Sequence, residues 1–167
     1  PLIVPQMRKV LEVCIASGNA KNITLTYNTN LVKMPSSVLE LWKEFKQVKL
    51  LVSIDATEEL NHYIRYPSKW ESIDKNLRMI DKSYKELNIS ECMISATVQV
   101  LNVLRLDELF SYLGEFNFIV PVPNLINLHV PTYFKTTVLR GSFFFKFSKT
   151  FKILSVGLDN QFTSTLY

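Results

Sequence analysis

The chain has 167 residues, 47% of them hydrophobic, which is enough for one domain with a buried core and is not a composition at the level of disorder. Its formal charge of +4 comes from 19 Lys and Arg interspersed with 15 Asp and Glu, so no basic stripe argues for nucleic acid. The two cysteines, Cys14 and Cys92, lie far apart in apolar patterns and fit a reducing, cytosolic setting; no charged-then-apolar leader opens the chain, and prolines interrupt the apolar stretch Phe116 to Val130, so no segment argues for a membrane.

The chain begins at Pro1 without Met and is helical in pattern soon after, which points to a true start upstream and to a piece of a longer protein. After Pro5, Met7, Val10, Leu11 and Cys14 form the apolar stripe of an amphipathic helix stopped by Ser17 to Asn19. Asn22 to Asn30 alternates as a strand, with Ile23, Leu25 and Tyr27 on one face and Thr24, Thr26, Asn28 and Asn30 on the other. A second helix starts near Pro35 to Ser37, where a hydroxyl can cap it, and carries Val38, Leu41, Trp42 and Phe45.

Leu50 to Asp55 reads as a buried strand. Leu50, Val52 and Ile54 share one face, while Leu51, Ser53 and Asp55 share the other, so two polar groups emerge at the carboxyl end, where α/β folds bind ligands. Two readings of Asp55 stand side by side: a ligand-site residue, or the N-cap of the next helix in a capping box with Glu58. A short helix over Thr57 to Tyr66 ends at Pro67. Ser68 then caps a long one with Trp70, Ile73, Leu77, Ile80, Tyr84 and Leu87 on one stripe. Ile89 to Val100 is a strand with Cys92, Ile94, Ala96 and Val98 opposed to Met93, Ser95, Thr97 and Gln99. Leu106 to Leu113 gives a helix closed by Gly114, and Asn124 to Val130 a last strand ending at His129 and Pro131.

Helices alternating with strands imply an α/β fold of parallel strands joined by right-handed crossovers. Thr24, Thr26, Asn28, Ser53, Asp55, Ser95, Thr97 and Gln99 would line a wet or ligand-filled cavity if their faces converge. The rival arrangement is a sheet with one face in solvent and crossovers on one side only. The cavity is preferred because it gives Asn28, Ser53 and Asp55 a common purpose. From Gly141 to Tyr167 the helix-strand rhythm stops and the composition turns to Phe and Lys, so residues 1–140 are read as the domain and 141–167 as an atypical tail, not native sequence on this reading.

The segments Ala20 to Asn30, Val48 to Asp55 and Asn61 to Trp70 resemble radical S-adenosylmethionine (radical SAM) enzymes, in particular the twitch or SPASM-like branch. In that family a CxxxCxxC loop after the first strand holds a 4Fe-4S cluster, and a GGEP motif ends the second strand. This chain has no such cysteine motif, and Pro1-Leu2 looks like the tail of GGEP. The resemblance therefore implies a truncated (β/α)6 barrel, from about the second helix to the sixth strand, with the cluster ligands outside this chain and no metal ligand in it.

Position by position, the resemblance places Asn28 and Asn30 near bound S-adenosylmethionine, and has Ser53 of the Ser-x-Asp pair with Asp55, together with Arg65, hold the methionyl carboxylate. Gln99 and Asn102 would approach the ribose and amino-acid moieties. Without the resemblance, Asn28 and Asn30 read as turn caps and Arg65 as a surface partner for an acid. His62 reads as a loop-ordering or surface residue, and neither His62 nor His129 has a second ligand at metal spacing. The implied full-length enzyme draws an electron from a donor partner, splits S-adenosylmethionine and abstracts hydrogen from an unidentified substrate, which in related enzymes is often a peptide or protein. The rival is a non-catalytic α/β binding module with a polar strand-end crevice. A barrel hydrolase or aldolase lacks its nucleophile motif, since there is no Gly-x-Ser-x-Gly.

Overall fold

The computed structural model describes residues 2–121, 123–128, 131, 134 and 135. The expectations for His129 and for the tail 141–167 lie outside the described residues. Helix α1 (Pro5–Ala16) leads through a 3-10 turn, Ala20–Asn22, into strand β1 (Thr24–Thr29). Helix α2 (Ser36–Trp42) precedes β2 (Gln47–Ser53), and α3 (Glu58–Ile64) and α4 (Trp70–Ser83) precede β3 (Ile89–Val98). A 3-10 turn, Val103–Arg105, and α5 (Leu106–Leu113) lead to β4 (Asn124–Asn127).

The fold is α/β. Its four strands form one sheet in the order β1-β2-β3-β4, all neighbours parallel. A sheet whose spatial order follows the chain, with right-handed crossovers, carries every helix on the same face. The core agrees. Leu11 of α1, Val38, Leu39 and Trp42 of α2, Ile73, Leu77 and Ile80 of α4, and Leu109 and Leu113 of α5 are buried in one cluster with Leu50, Val52, Ile54, Cys92, Ile94 and Ala96 of the sheet. The opposite face carries Thr24, Thr26, Asn28, Lys49, Leu51, Ser53, Glu91, Met93, Thr97 and Ile126, all exposed or half-buried. Among the described residues the polar faces do not converge on a closed cavity; they form one face that the helices leave uncovered. Alternation reports which side of a strand is polar, whereas closure of a sheet is set by elements that alternation does not report.

Several local expectations differ in detail. The N-caps of α3 and α4 are Thr57 and Lys69, neither bonded through its side chain, so neither Asp55 nor Ser68 acts as a cap. The α1 stripe is only half used: Leu11 is buried, whereas Val10 is 56% exposed. In β3 the pairing jumps from Val48–Ile89 to Lys49–Glu91, leaving Ser90 as a bulge. That extra residue lets Ile89 and Cys92, three apart, both face the core. Asn88 enters the strand in the left-handed region (φ 56°), and its amide donates to the carbonyls of Trp42 and Phe45, tying the end of α2 to the start of β3. Asp81 of α4 accepts from the backbone N–H of Asn117 and Phe118 at 2.9 and 2.7 Å, fixing the chain ahead of β4.

No helix among the described residues is long and apolar enough to cross a membrane. Burial pushes the Cys92 thiol up to about 12 from an ordinary value of 9.0, and it raises the Tyr27 phenol as well. The unfolded chain loses the Cys92 proton near 9 while the folded chain keeps it to about 12, so the folded state binds more protons in that window and loses stability as pH rises. Urea unfolding should show stability falling by on the order of 1 kcal/mol per pH unit from Cys92 across this window. The Cys92→Ala variant should fall less steeply; an unchanged slope would remove Cys92 as the cause.

Candidate functional site

The carboxyl end of the sheet is built around one carboxylate. Asp55 follows β2, where the chain leaves the strand, and is 4% exposed. Its Oδ1 accepts from Arg65 Nη2 at 2.9 Å and from the backbone N–H of Thr97 at 2.6 Å, and its Oδ2 lies 2.8 Å from Arg65 Nε. The Nε contact is one of charge: the N–H is not aligned on the oxygen, and Nε is buried without a hydrogen bond. Arg65 ends α3, ten residues along the chain, and its side chain is 25% exposed. A single carboxylate thus joins the ends of β2, β3 and α3.

Two asparagines close the same junction. Asn61, fully buried in α3, accepts through Oδ1 from the backbone N–H of Asp55 at 3.1 Å and, more weakly, of Ala56 at 3.4 Å. Asn102, also fully buried, donates through Nδ2 to the carbonyls of Asp55 (2.7 Å) and Thr97 (2.9 Å) and accepts at Oδ1 from the N–H of Gln99 (2.9 Å). Each buried backbone group beyond a strand end needs a partner, and these side chains supply it where the ladder stops. The amide of Asn102 is thereby committed to the backbone. Gln99 is 7% exposed beside it. Asn61 was not singled out in the sequence, and its place three residues after Glu58, inside a short helix, carries no signal of it.

The remaining site residues lie on the uncovered face. Register pairs Thr29 with Val52, Ser53 with Ser95, and Ser95 with Asn124. Asn30, one residue beyond the end of β1, is therefore level with Ser53, and a row of Asn30, Ser53, Ser95 and Asn124 crosses the sheet, with Ser95 buried and the other three exposed or half-buried. Asn28 stands one step lower, beside Leu51 and exposed to solvent. The structure brings Asn30 and Ser53 into one row and Asp55, Arg65, Gln99 and Asn102 into one junction above it. Ser95 and Asn124 join the row through register alone.

Three buried side-chain atoms in the 61–68 segment lack hydrogen-bond partners: Asn61 Nδ2, Arg65 Nε and Ser68 Oγ. The other two such atoms among the described residues, Tyr27 Oη and Trp42 Nε1, belong to rings packed 5.5 Å apart in the core. His62 holds the segment by its Nδ1, 2.6 Å from the Ser68 carbonyl, and by an edge contact with Tyr66. The two cysteines do not fit an iron–sulfur cluster: Cys92 is buried on the helix-covered face of β3, Cys14 is half-buried on α1, and no group of three or more His, Cys, Asp or Glu among the described residues could hold a metal ion.

Removing the carboxylate should loosen this end of the sheet. Asp55→Ala leaves the Thr97 N–H and the Arg65 guanidinium without their acceptor and should cost about 3 kcal/mol in urea unfolding, while Arg65→Ala should cost about 2, because water reaches the partly exposed position. Amide exchange at Thr97 should accelerate in Asp55→Ala; stabilities within 0.5 kcal/mol of wild type for both variants would show the junction to be incidental. No protein-family model matches this chain, and no curated protein matches it.

Proposed function

We propose that the chain is a section of a radical SAM-type (β/α) barrel whose uncovered sheet face and strand ends bind S-adenosylmethionine. The observation that carries this reading is the polar row of Asn30, Ser53, Ser95 and Asn124, which crosses the parallel sheet from the carboxyl ends of β1 and β2, through Ser95 within β3, to Asn124 at the start of β4. Support comes from the sequential strand order, which is that of a barrel wall, and from the polar face turned away from the helices. S-adenosylmethionine presents an amino acid, a ribose and a base, all of which want short hydroxyl and amide partners rather than apolar ones.

On this reading the iron–sulfur cluster sits on residues outside the 167, since Cys14 and Cys92 do not fit it, and no step of the chemistry is assigned to this chain. Its own residues bind and orient: Asn28, Asn30 and Ser53 from the sheet, with Asp55 fixing Arg65 in position. The substrate, a peptide or protein by resemblance, and the electron donor would meet the complete enzyme. A second reading, a non-catalytic binding module, is favoured by the Asp55–Arg65 pair, because a guanidinium already neutralised by a carboxylate attracts a ligand carboxylate less.

Amide chemical shifts during titration with S-adenosylmethionine separate the two. Binding should perturb residues 28–30, 53 and 95 in a saturable way, and Ser53→Ala should weaken it by roughly three- to tenfold, the loss of one hydrogen bond. No perturbation at the row up to millimolar ligand would sink the S-adenosylmethionine reading and leave the binding module.

A further inference from the structure

We infer a second, independent ligand site: the groove between the loop after β1 and the outer side of α4 binds a small organic phosphate. The groove is lined by Val32, Lys33, Met34 and Pro35 on one side and Ser72, Lys75 and Asn76 on the other, and has a volume of about 320 Å³. It is built by the backbone rather than by the chance placement of surface side chains. Leu31 turns in the left-handed region (φ 57°) with its side chain fully buried, and Thr29 Oγ1 accepts its N–H at 3.1 Å. Asn76 Nδ2 donates to the Leu31 carbonyl at 2.7 Å and so clamps the loop to α4. These bonds set the distance between the two walls.

The lining selects the ligand's chemistry. Lys33 and Lys75 both line the groove and, like several other surface lysines such as Lys9 and Lys82, have no ion-pair partner among the described residues; what sets them apart is that they meet at one groove. No acidic residue lines it, and Ser72 contributes a hydroxyl. Two ammonium groups and a hydroxyl lining one open groove suit a phosphate dianion, which accepts hydrogen bonds on every side. Val32, Met34 and Pro35 give the same groove an apolar wall, and its volume falls in the range of small-molecule pockets, about 300 Å³ and upward, which a bare phosphate does not fill. The ligand class is therefore a phosphate carried on a compact, partly apolar group.

The test uses phenyl phosphate, inorganic phosphate and phenol as probes, followed by amide shifts of the chain. Phenyl phosphate should perturb residues 32–35 and 72–76 saturably, inorganic phosphate the same residues with weaker affinity, and phenol none. The double variant Lys33→Ala, Lys75→Ala should raise the Kd for phenyl phosphate about tenfold, the sum expected of two exposed charge contacts. A control pair on other unpaired lysines, Lys9→Ala and Lys82→Ala, should leave it unchanged. Both pairs replace exposed side chains, so the fold is retained. Shifts spread over the surface, an unchanged Kd in the Lys33/Lys75 variant, or equal response to phenol would each overturn the site; inorganic phosphate binding as tightly as phenyl phosphate would overturn the assignment of an organic ligand.

Discussion

A carboxylate taken out of water is costly unless charge-assisted hydrogen bonds replace its hydration, and Asp55 is the point at which this molecule meets that cost. Carried on the chain leaving β2, it takes partners from two further elements: Arg65 from the end of α3 and Thr97 from β3. Because an ion pair at 2.8 Å and a backbone bond at 2.6 Å tolerate little displacement, α3 cannot slide along the sheet and β3 cannot slip against β2 without exposing the charge to an apolar interior. Asn61 and Asn102 extend the same logic to the neutral backbone groups around it. The rim of the sheet is braced because the Asp55 carboxylate and the backbone groups around it find their partners in this arrangement.

Below that rim the uncovered face is graded along the strands. At the amino ends, Lys49 and Glu91 are register partners and form a 2.8 Å ion pair, about 40% exposed on each side, so it contributes little to stability and keeps the face polar. Leu51 and Met93 stand at the middle, half-buried. Hydroxyl and amide groups then take over, from the carboxyl ends of β1 and β2 to the start of β4. Parallel sheets are normally covered on both faces, so a face that is charged at one end, apolar at its centre and neutral-polar at the other is suited to contact with something other than bulk water over its upper half.

What the sequence made legible follows from period. The faces of β1, β2 and β3 were read from alternation, and the α4 stripe from helical spacing, because both report which side of one element is apolar. Features that depend on distant partners were not legible. Asp55 and Glu58 have capping-box spacing, but the partner that decides the role of Asp55 includes Thr97, 42 residues away. Ser68 precedes a helix as a cap would, yet its Oγ has no partner among the described residues and its carbonyl faces His62 instead. Asn102 looks like a ligand contact at a strand end because the same chemistry, a short amide beside exposed backbone groups, serves both binding and bracing. The bulge at Ser90 leaves the alternation on either side of it intact and so hides in the pattern.

Arg65 shows where bracing and binding compete. Its fork is turned onto Asp55 through Nη2 and Nε, so a carboxylate ligand approaching it meets a site whose net charge is already near zero and whose nearest oxygen atoms repel it. For such a ligand to take the fork it would have to displace Asp55, leaving that carboxylate buried against Thr97 alone. Approach through the remaining Nη1 avoids this conflict, and the 25% exposure of the side chain leaves room for it. Asp55 would then act on the ligand only through Arg65, by fixing the plane of the guanidinium. The neutral row of Asn30, Ser53, Ser95 and Asn124 carries no such internal competition. A polar ligand meeting that row would have no ion pair to open, and this is the physical reason the S-adenosylmethionine proposal rests on the sheet rather than on the salt bridge.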